Sequence, residues 1–316
     1  MYPPGNHAME APRLGNGMDF DPSADYRMYH GETVPGFPQH PHRGFETITA
    51  TIDGLIDHFD SVGNAGRYGM GDVQWMTAGS GVVHSEMFPL LEDKKENPLR
   101  FFQIWLNLPA QSKMVPPDFV MFWANQVPKY HQDKASVTIW AGNYFGVENN
   151  NNPPSNSWAA NLENDVAIMH ITVEPGGELT LPAANLVGSN VHRCLFYIEG
   201  DSKVCQVDGT LIDRKVILTL QSDREVTLAV SDAATTASEF LLLQGKPIGG
   251  PVAQYGPFVM NTQAEIQQAF SDYRRTQFGG WPWSRDDMVS DRTKGRFALV
   301  NGKEIYPETC MEESNK

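Results

Sequence analysis

The sequence predicts an all-β protein made of two similar strand-rich halves. Glycine and proline interrupt the 316-residue chain about every 8 to 12 residues. The runs between them are short, rich in β-branched residues and often alternating, which is typical of antiparallel sandwiches and barrels. These runs are ETITATI (46–52), SVTIWAG (136–142), VAIMHITV (166–173), CLFYIEG (194–200), KVILTL (215–220), EVTLAV (225–230) and EFLLLQG (239–245). The polar segment VENNNNPPSNSW (147–158) indicates a connecting loop between the halves.

One helix is predicted after the last of these strands. Thr262 is followed three residues later by Glu265, which predicts a capping box because each side chain can accept from the other residue's backbone N–H. An apolar residue then recurs at helical spacing, and the glycine pair 279–280 is expected to end the helix. The apolar face consists of Ile266, Phe270 and Tyr273.

Composition and charge exclude several classes of protein. Lysine and arginine total 24 against 38 acidic residues, which gives a net charge of −14. Phosphate backbones would repel so acidic a chain, so direct nucleic-acid binding is not expected. No run approaches the ~20 apolar residues of a membrane helix, and no targeting pattern is present, so we expect a soluble protein of the cytoplasm or nucleus. The three cysteines lie far from any C-x-x-C spacing, which argues against a cysteine-built zinc site.

Two short histidine signatures predict a metal site. His40 and His42 are two residues apart, and so are His84 and Glu86. Side chains in a strand alternate between faces, so both members of each pair project to the same side. If the two segments face each other in a barrel, they bring three imidazoles and a carboxylate together. This ligand set suits Fe(II), Mn(II), Co(II), Ni(II), Cu(II) or Zn(II), and it leaves coordination positions open for exchangeable ligands.

A second carboxylate competes for the same place. Glu46 lies four residues after His42, so by parity it could face the same way as the first histidine pair. Spacing alone does not choose between Glu46 and Glu86. In the second half of the chain, His170 and His192 stand alone, so we expect that half to bind no metal.

Several longer motifs resemble the pirin family of the cupin superfamily. They are HPHRGFETIT (40–49), GDVQWMTAGSGVVHSEM (71–87), IWLNLPAQSKM (104–114), QYGPFVMNTQAEIQQAFSDY (254–273) and GGWPWSRDD (279–287). The resemblance implies a bicupin, which is a protein of two tandem β-barrels with a metal, usually iron, in the first. The family's ligands fall on His40, His42, His84 and Glu86. Glu46 then becomes a supporting residue outside the ligand set.

The resemblance also implies a domain plan. Residues 1–35 form a short segment that does not resemble the family's longer N-terminal region. Residues 36–135 form the metal-binding barrel, 136–250 a second barrel that is metal-free, and 251–316 the C-terminal helix and tail.

For function, the resemblance implies a quercetin 2,3-dioxygenase type of oxidoreductase. A flavonol would chelate Fe(II) through its 3-hydroxyl and 4-carbonyl, O2 would add, and the heterocycle would be cleaved with loss of carbon monoxide. Glu86 is the candidate base for the 3-hydroxyl proton. Phe37, Phe45 and Trp75, which are aromatic neighbours of the ligands, are candidates for the wall of the substrate pocket.

Two other interpretations remain open. Some pirins are described as iron-dependent cofactors of a transcription factor, and an acidic chain would suit a basic partner domain. Alternatively, the metal only stabilises the fold and the substrate is another small molecule. The sequence does not identify the resident metal, because this kind of ligand set accepts several ions.

Overall fold

The structure is a computed structural model, and it describes residues 34–92, 94–185, 190–201, 203–212 and 214–307. Within these residues almost all regular structure is β, with one α-helix near the C-terminal end. The predicted all-β class with a short C-terminal helix is therefore confirmed. Of the atypical segment 1–35, only 34 and 35 lie inside the described residues. Cys194 and Cys205 are free thiols, and Cys310 lies outside the described residues.

The chain divides into two compact units, and the first of them is discontinuous in sequence. The described residues up to Ala124 and from Gly250 onward form the first unit, and Asn125–Gly249 forms the second. The polar segment 147–158 therefore lies within the second unit rather than between two halves. The domain boundaries at 136 and 250 remain a prediction.

The first unit contains two main sheets and a hairpin. In spatial order, the six-stranded sheet contains β1 (Gly36–His42), β6 (Val82–Met87), β3 (Leu55–Asp60), β4 (Ala65–Gly69), β21 (Phe297–Val300) and β22 (Lys303–Ile305). The four-stranded sheet contains β7 (Arg100–Asn107), β2 (Phe45–Asp53), β5 (Val73–Thr77) and β8 (Asp118–Phe122). The hairpin consists of β19 (Ala253–Tyr255) and β20 (Phe258–Met260). Both main sheets contribute to one core, in which Ile56 and Tyr68 meet Met76 and Phe119.

The second unit also consists of two sheets. Its six-stranded sheet contains β16 (Ile217–Leu220), β13 (His192–Glu199), β18 (Ser238–Gly245), β11 (Ala167–Val173), β10 (Ala135–Ala141) and β9 (Lys129–Gln132). Its four-stranded sheet contains β12 (Glu178–Leu181), β17 (Val226–Val230), β14 (Cys205–Val207) and β15 (Thr210–Ile212). The side chains between the sheets are apolar, for example Ile171, Leu195 and Leu228.

The helix α1 spans Gln263–Thr276, and it has the predicted capping box. Thr262 Oγ1 accepts from Glu265 N at 3.2 Å, and Glu265 Oε2 accepts from Thr262 N at 2.8 Å. The helix ends before the glycine pair because Gln277 takes a left-handed φ of 48°. Short 3-10 turns lie at Ala110–Ser112, Trp158–Ala160, Leu162–Asn164 and Gln277–Gly279. Among the described residues, no helix has the length and apolar character needed to cross a bilayer.

Candidate metal centre

Two neighbouring antiparallel strands bring the three motif histidines together. His40 on β1 lies directly opposite His84 on β6, and His42 follows two residues later on the same face of β1. One ring nitrogen from each histidine lies within 4.8 Å of the others. Two metal–nitrogen bonds of about 2.0–2.1 Å span at most about 4.2 Å, so ring shifts of about half an ångström would let all three nitrogens share one ion.

Each of the three rings also has a contact with another group of the protein. His40 Nδ1 lies 2.8 Å from the Pro38 carbonyl oxygen. The backbone carbonyl of Pro257 acts on the ring of His42, where it raises the imidazole pKa against the effect of burial. His84 Nδ1 lies 3.4 Å from Nδ1 of a further histidine, His58. Such contacts orient the rings before an ion arrives, as is usual for histidines that bind metals.

The remaining ring nitrogens fit a cation. Among the residues that the structure describes, His42 Nδ1 and His84 Nε2 are buried and find no hydrogen-bond partner. Burial, followed by the neighbouring His40, holds the pKa of both imidazoles well below the usual range. These two rings are therefore neutral near pH 7, and their lone pairs find no donor in the described part of the chain. A divalent metal ion would satisfy them, since imidazole nitrogen is a favoured ligand of such ions.

Glu86 lies on the same face of β6 as His84, but the protein holds its carboxylate with two other groups. Oε1 accepts a hydrogen bond from Thr49 Oγ1 at 3.2 Å, and Oε2 accepts one from Gln103 Nε2 at 2.8 Å. Among the described residues, the group of mutually close potential ligands consists of the three histidines alone. Coordination of the metal by Glu86 therefore stays a prediction.

Glu46 lies on a different surface of the unit. β1 ends at His42 and β2 starts at Phe45 in the other main sheet, so parity does not carry from one strand to the next. Phe45, whose ring centroid is 5.1 Å from that of His42, marks the face of β2 that meets the histidines. Glu46 occupies the opposite face, where its Oε1 accepts from Thr77 Oγ1 at 2.6 Å. The geometry corrects the parity argument for this residue.

The three aromatic candidates for the pocket wall are placed differently. Phe37 lies 6.0 Å from His40 and Phe45 lies 5.1 Å from His42, as ring centroid distances. Trp75 is fully buried, and on the neighbouring strand it lies opposite Ile48. The next pair along these strands, Gln74 and Thr49, faces the core, and side chains alternate between the two faces of a sheet. Trp75 therefore lies on the face of the sheet opposite to Thr49, so the structure does not bring it to the histidines.

The sequence reasoning missed Trp105 and Gln103 on β7. Trp105 is 43% exposed, and its ring centroid lies 5.5 Å from that of His42 and 4.3 Å from that of Phe45. Its indole Nε1 donates to Gln103 Oε1 at 3.2 Å, while Gln103 Nε2 donates to Glu86. A hydrogen-bonded chain thus connects an exposed aromatic side chain to the candidate base.

His58 and Asp60 on β3 were also missed. Strand β3 pairs with β6, and Asp60 lies directly opposite His84. His58 Nε2 lies 3.3 Å from Asp60 Oδ2, and its Nδ1 faces His84. The signal was available, because His58 and Asp60 repeat the two-residue spacing of His84 and Glu86.

The C-terminal part of the first unit supports the loop that follows the first histidine pair. The Arg43 guanidinium donates to Asp272 Oδ2 of α1 at 2.9 Å. The buried ammonium of Lys113 donates to the carbonyls of Gly44 and Val259, both at 2.8 Å. Burial lowers the pKa of Lys113 to about 8. Gly44 has a φ of +84°, and a Cβ there would lie 2.1 Å from the Val259 carbonyl, so only glycine fits this contact.

The histidines of the second unit have other surroundings. His170 Nε2 lies 2.8 Å from Glu239 Oε2. On β11 the neighbouring Met169 and Ile171 belong to the core, so His170 projects from the opposite face. His192 is exposed at the start of β13.

Comparison with known families and structures agrees with this geometry. Residues 16–106 match the Pirin family model, and residues 168–279 match the model of the Pirin C-terminal cupin domain. A solved structure of quercetin 2,3-dioxygenase from Acinetobacter baumannii has 32% identity and a TM-score of 0.66, and the alignment covers 78% of this chain and 80% of that one.

Two curated relatives carry pirin names. A pirin-like protein of Solanum lycopersicum is 36% identical over 239 residues, which cover 76% of this chain and 75% of the relative. Pirin of Homo sapiens is 31% identical over 270 residues, which cover 85% of both chains. The resemblance seen in the motifs is thereby confirmed, together with the two-cupin fold. The chain belongs to the pirin family.

Proposed function

We propose that this protein is a metal-dependent dioxygenase that cleaves flavonol-like substrates with O2. One observation carries the proposal: three imidazoles converge, and two of their buried ring nitrogens find no hydrogen-bond partner among the described residues. A relative with 32% identity over most of its length is named quercetin 2,3-dioxygenase, which supports the choice of reaction. In that reaction two C–C bonds of the heterocycle break, both O2 atoms enter the products, and one ring carbon leaves as carbon monoxide.

His40, His42 and His84 would hold the metal, with Glu86 as the proposed fourth ligand. We favour Fe(II), although Mn(II), Co(II), Ni(II), Cu(II) and Zn(II) suit the same donors. When bound, the ion would supply a Lewis acid that polarises the chelating oxygens of the substrate and a template that brings the reactants together.

Glu86 is the proposed general base for the 3-hydroxyl of the flavonol. Its two carboxylate oxygens already accept hydrogen bonds from Thr49 and Gln103, which keeps the group oriented beside the histidines. Glu86 can give up one of these two hydrogen bonds and accept one from the substrate hydroxyl in its place. The proton then resides on Glu86 while the ring is opened.

The flat substrate would bind against aromatic side chains at the opening. Trp105 combines exposure with contact to both His42 and Phe45, so its ring is the one best placed to pack against a flavonol. Phe37 lies on the His40 side. The Trp105 indole N–H also fixes the amide orientation of Gln103, since it donates to Oε1 and leaves Nε2 for Glu86.

The test combines metal analysis with a flavonol assay. Protein purified without added metal is analysed for metal content, stripped with a chelator, and reloaded separately with each of the six ions. We expect quercetin absorbance to decay under air only in a reloaded sample, with one carbon monoxide released per flavonol consumed. Absence of turnover with all six ions would overturn the proposal.

The regulatory alternative gives a different result in the same samples. A metal-dependent transcriptional cofactor would bind the ion, leave quercetin unchanged and be found in the nucleus. Binding of a basic transcription-factor domain by the loaded but not the stripped protein would then favour that alternative.

A further inference from the structure

His58 and Asp60 form a buried chain of side chains behind His84. Both are nearly inaccessible, with exposed fractions of 0% and 2%. The distances along the chain are 3.4 Å from His84 Nδ1 to His58 Nδ1 and 3.3 Å from His58 Nε2 to Asp60 Oδ2. The other ring nitrogen of His84, Nε2, is the buried atom without a partner.

We propose that His58 is a positioning residue, which fixes the tautomer and ring orientation of the metal ligand His84 and is itself anchored by Asp60. The inference rests on the metal binding proposed above, and it does not depend on the dioxygenase reaction. It assigns a role to a histidine that lies outside the set of converging nitrogens.

The geometry determines which ring nitrogen of each histidine carries the proton. If Nε2 of His84 binds an ion, its proton must be on Nδ1, because a neutral imidazole carries one proton. Nδ1 of His84 then donates to Nδ1 of His58, which must be the acceptor. The proton of His58 is consequently on Nε2, where it faces the Asp60 carboxylate. One carboxylate at the end of the chain thus specifies the tautomers of two histidines.

Asp60 is held firmly enough to act as the anchor. Its Oδ1 accepts from the backbone N–H groups of Val62 and Asn64, both at 2.9 Å. Its Oδ2 accepts from Asn64 Nδ2 at 3.3 Å in addition to facing His58. The turn 61–64 therefore fixes the carboxylate through the backbone.

The arrangement also shows why His58 is not a fourth ligand. Both of its ring nitrogens are directed at protein groups, Nδ1 at His84 and Nε2 at Asp60, so its single lone pair is not available to an ion between the other histidines. A group behind a metal-bound histidine acts by orienting the ligand and raising its basicity, and its loss typically costs about 10–100-fold in metal affinity.

Three variants test the proposal by Zn(II) affinity, measured by competition with a chromophoric chelator. His58→Leu removes both contacts, and we expect Zn(II) to bind about 10–100-fold more weakly. His58→Gln retains an acceptor for His84 and a donor for Asp60, so it should restore most of the affinity. The matched control is His170→Leu, because His170 makes a similar contact to Glu239 in the second unit, and its affinity should equal that of the wild type. Wild-type affinity in His58→Leu, or equal loss in Leu and Gln variants, would overturn the proposal.

A measurement on the wild-type protein keeps the proposal testable if His58→Leu fails to fold. In 15N-detected NMR of the Zn(II)-loaded protein, we expect a proton on Nδ1 of His84 and on Nε2 of His58, with the His58→Gln spectrum used for assignment. A proton on Nδ1 of His58 would overturn the chain of donors. If wild-type protein binds no Zn(II), the proposed metal site fails and this inference fails with it. If the wild type binds Zn(II) and the tautomers differ from those expected, the positioning role alone is refuted.

Discussion

The two units have the same architecture of a six-stranded and a four-stranded sheet, but their interiors differ in chemistry. In the first unit, strands of the four-stranded sheet place hydroxyl and amide groups on the face that meets the histidines. These residues are Thr47, Thr49, Gln74 and Gln103. In the second unit, the corresponding space is filled by aliphatic side chains such as Ile139, Ile171, Leu195 and Leu242.

The difference extends to polar atoms that the protein leaves unsatisfied. Within the described residues of the first unit, the buried side-chain atoms without a hydrogen-bond partner are His42 Nδ1, Thr47 Oγ1, Gln74 Nε2, Trp75 Nε1, His84 Nε2 and Ser85 Oγ. In the second unit they are Arg193 Nε, Tyr197 Oη and Ser238 Oγ. An unsatisfied buried polar group costs about 1–3 kcal/mol. The comparison teaches that the first unit gives up stability at polar atoms that include those of His42, His84 and the nearby Thr47 and Gln74, whereas the second unit has fewer such atoms and a largely apolar core.

The largest expected effect is loss of metal from the first unit. His42→Ala removes one of three converging imidazoles, so affinity should fall by more than the ~100-fold that a supporting residue can cost. His170→Ala and His192→Ala should leave the metal content unchanged. Elemental analysis of the three purified variants measures this, and equal loss in all of them would mean that the second unit also holds an ion.

The next effect concerns the two glutamates. Glu86→Gln removes the charge and the basicity while keeping the shape, so flavonol turnover should fall by about 10²–10⁴-fold with a modest loss of metal. Glu46→Gln should change both much less, because Glu46 lies on the opposite face and bonds to Thr77. Both variants are compared in one assay, so the ratio does not require the best substrate. Loss of metal in Glu46→Gln with normal behaviour of Glu86→Gln would refute this placement of roles.

Shortening a buried side chain in the core of the second unit should lower the stability of the protein without changing its affinity for the metal. Leu228 is fully buried, and Leu228→Ala should lower the free energy of unfolding by about 2–5 kcal/mol through lost burial and a cavity. Urea denaturation followed by fluorescence measures the change, and Zn(II) affinity of the folded variant should equal that of the wild type. A parallel loss of Zn(II) affinity would show that the two interiors are not independent.

The smallest effect has the opposite sign. Thr47 Oγ1 is buried without a partner, so Thr47→Val removes an unsatisfied hydroxyl and should raise the free energy of unfolding by about 1 kcal/mol. The urea midpoint is again the measurement. Destabilisation comparable to that of Leu228→Ala would mean that the hydroxyl is satisfied in solution, which would weaken the contrast between the two interiors.

The sequence predicted the parts of the site that depend on one strand at a time. His40 with His42, and His84 with Glu86, share faces because parity holds within an unbroken strand. Parity failed for Glu46 because the chain passes through Arg43 and Gly44 into another sheet before reaching it. Strand parity could not place Trp75, since an aromatic residue next to a motif can lie on either face of its sheet.

What the sequence could not predict are contacts between strands that are distant along the chain. Gln103 and Trp105 lie two residues apart on the same face of β7. Only the register between β7 and β2 places them beside Glu86 and His42. The carbonyl of Pro257 reaches His42 because the hairpin of β19 and β20 packs in the first unit. Pairings of this kind depend on the tertiary fold, and no local pattern encodes them.

The discontinuity of the first unit has a consequence for the order of events during synthesis. Its sheet is completed by β21, which pairs with β4, and the Pro257 carbonyl that acts on the His42 ring also belongs to the C-terminal part of the chain. The second unit consists of consecutive residues, so all of it is translated before those partners are made. Although its motifs are translated first, the histidine site can be completed only after the whole second unit has been translated, so until then the nascent chain carries an incomplete first unit with polar groups in its interior.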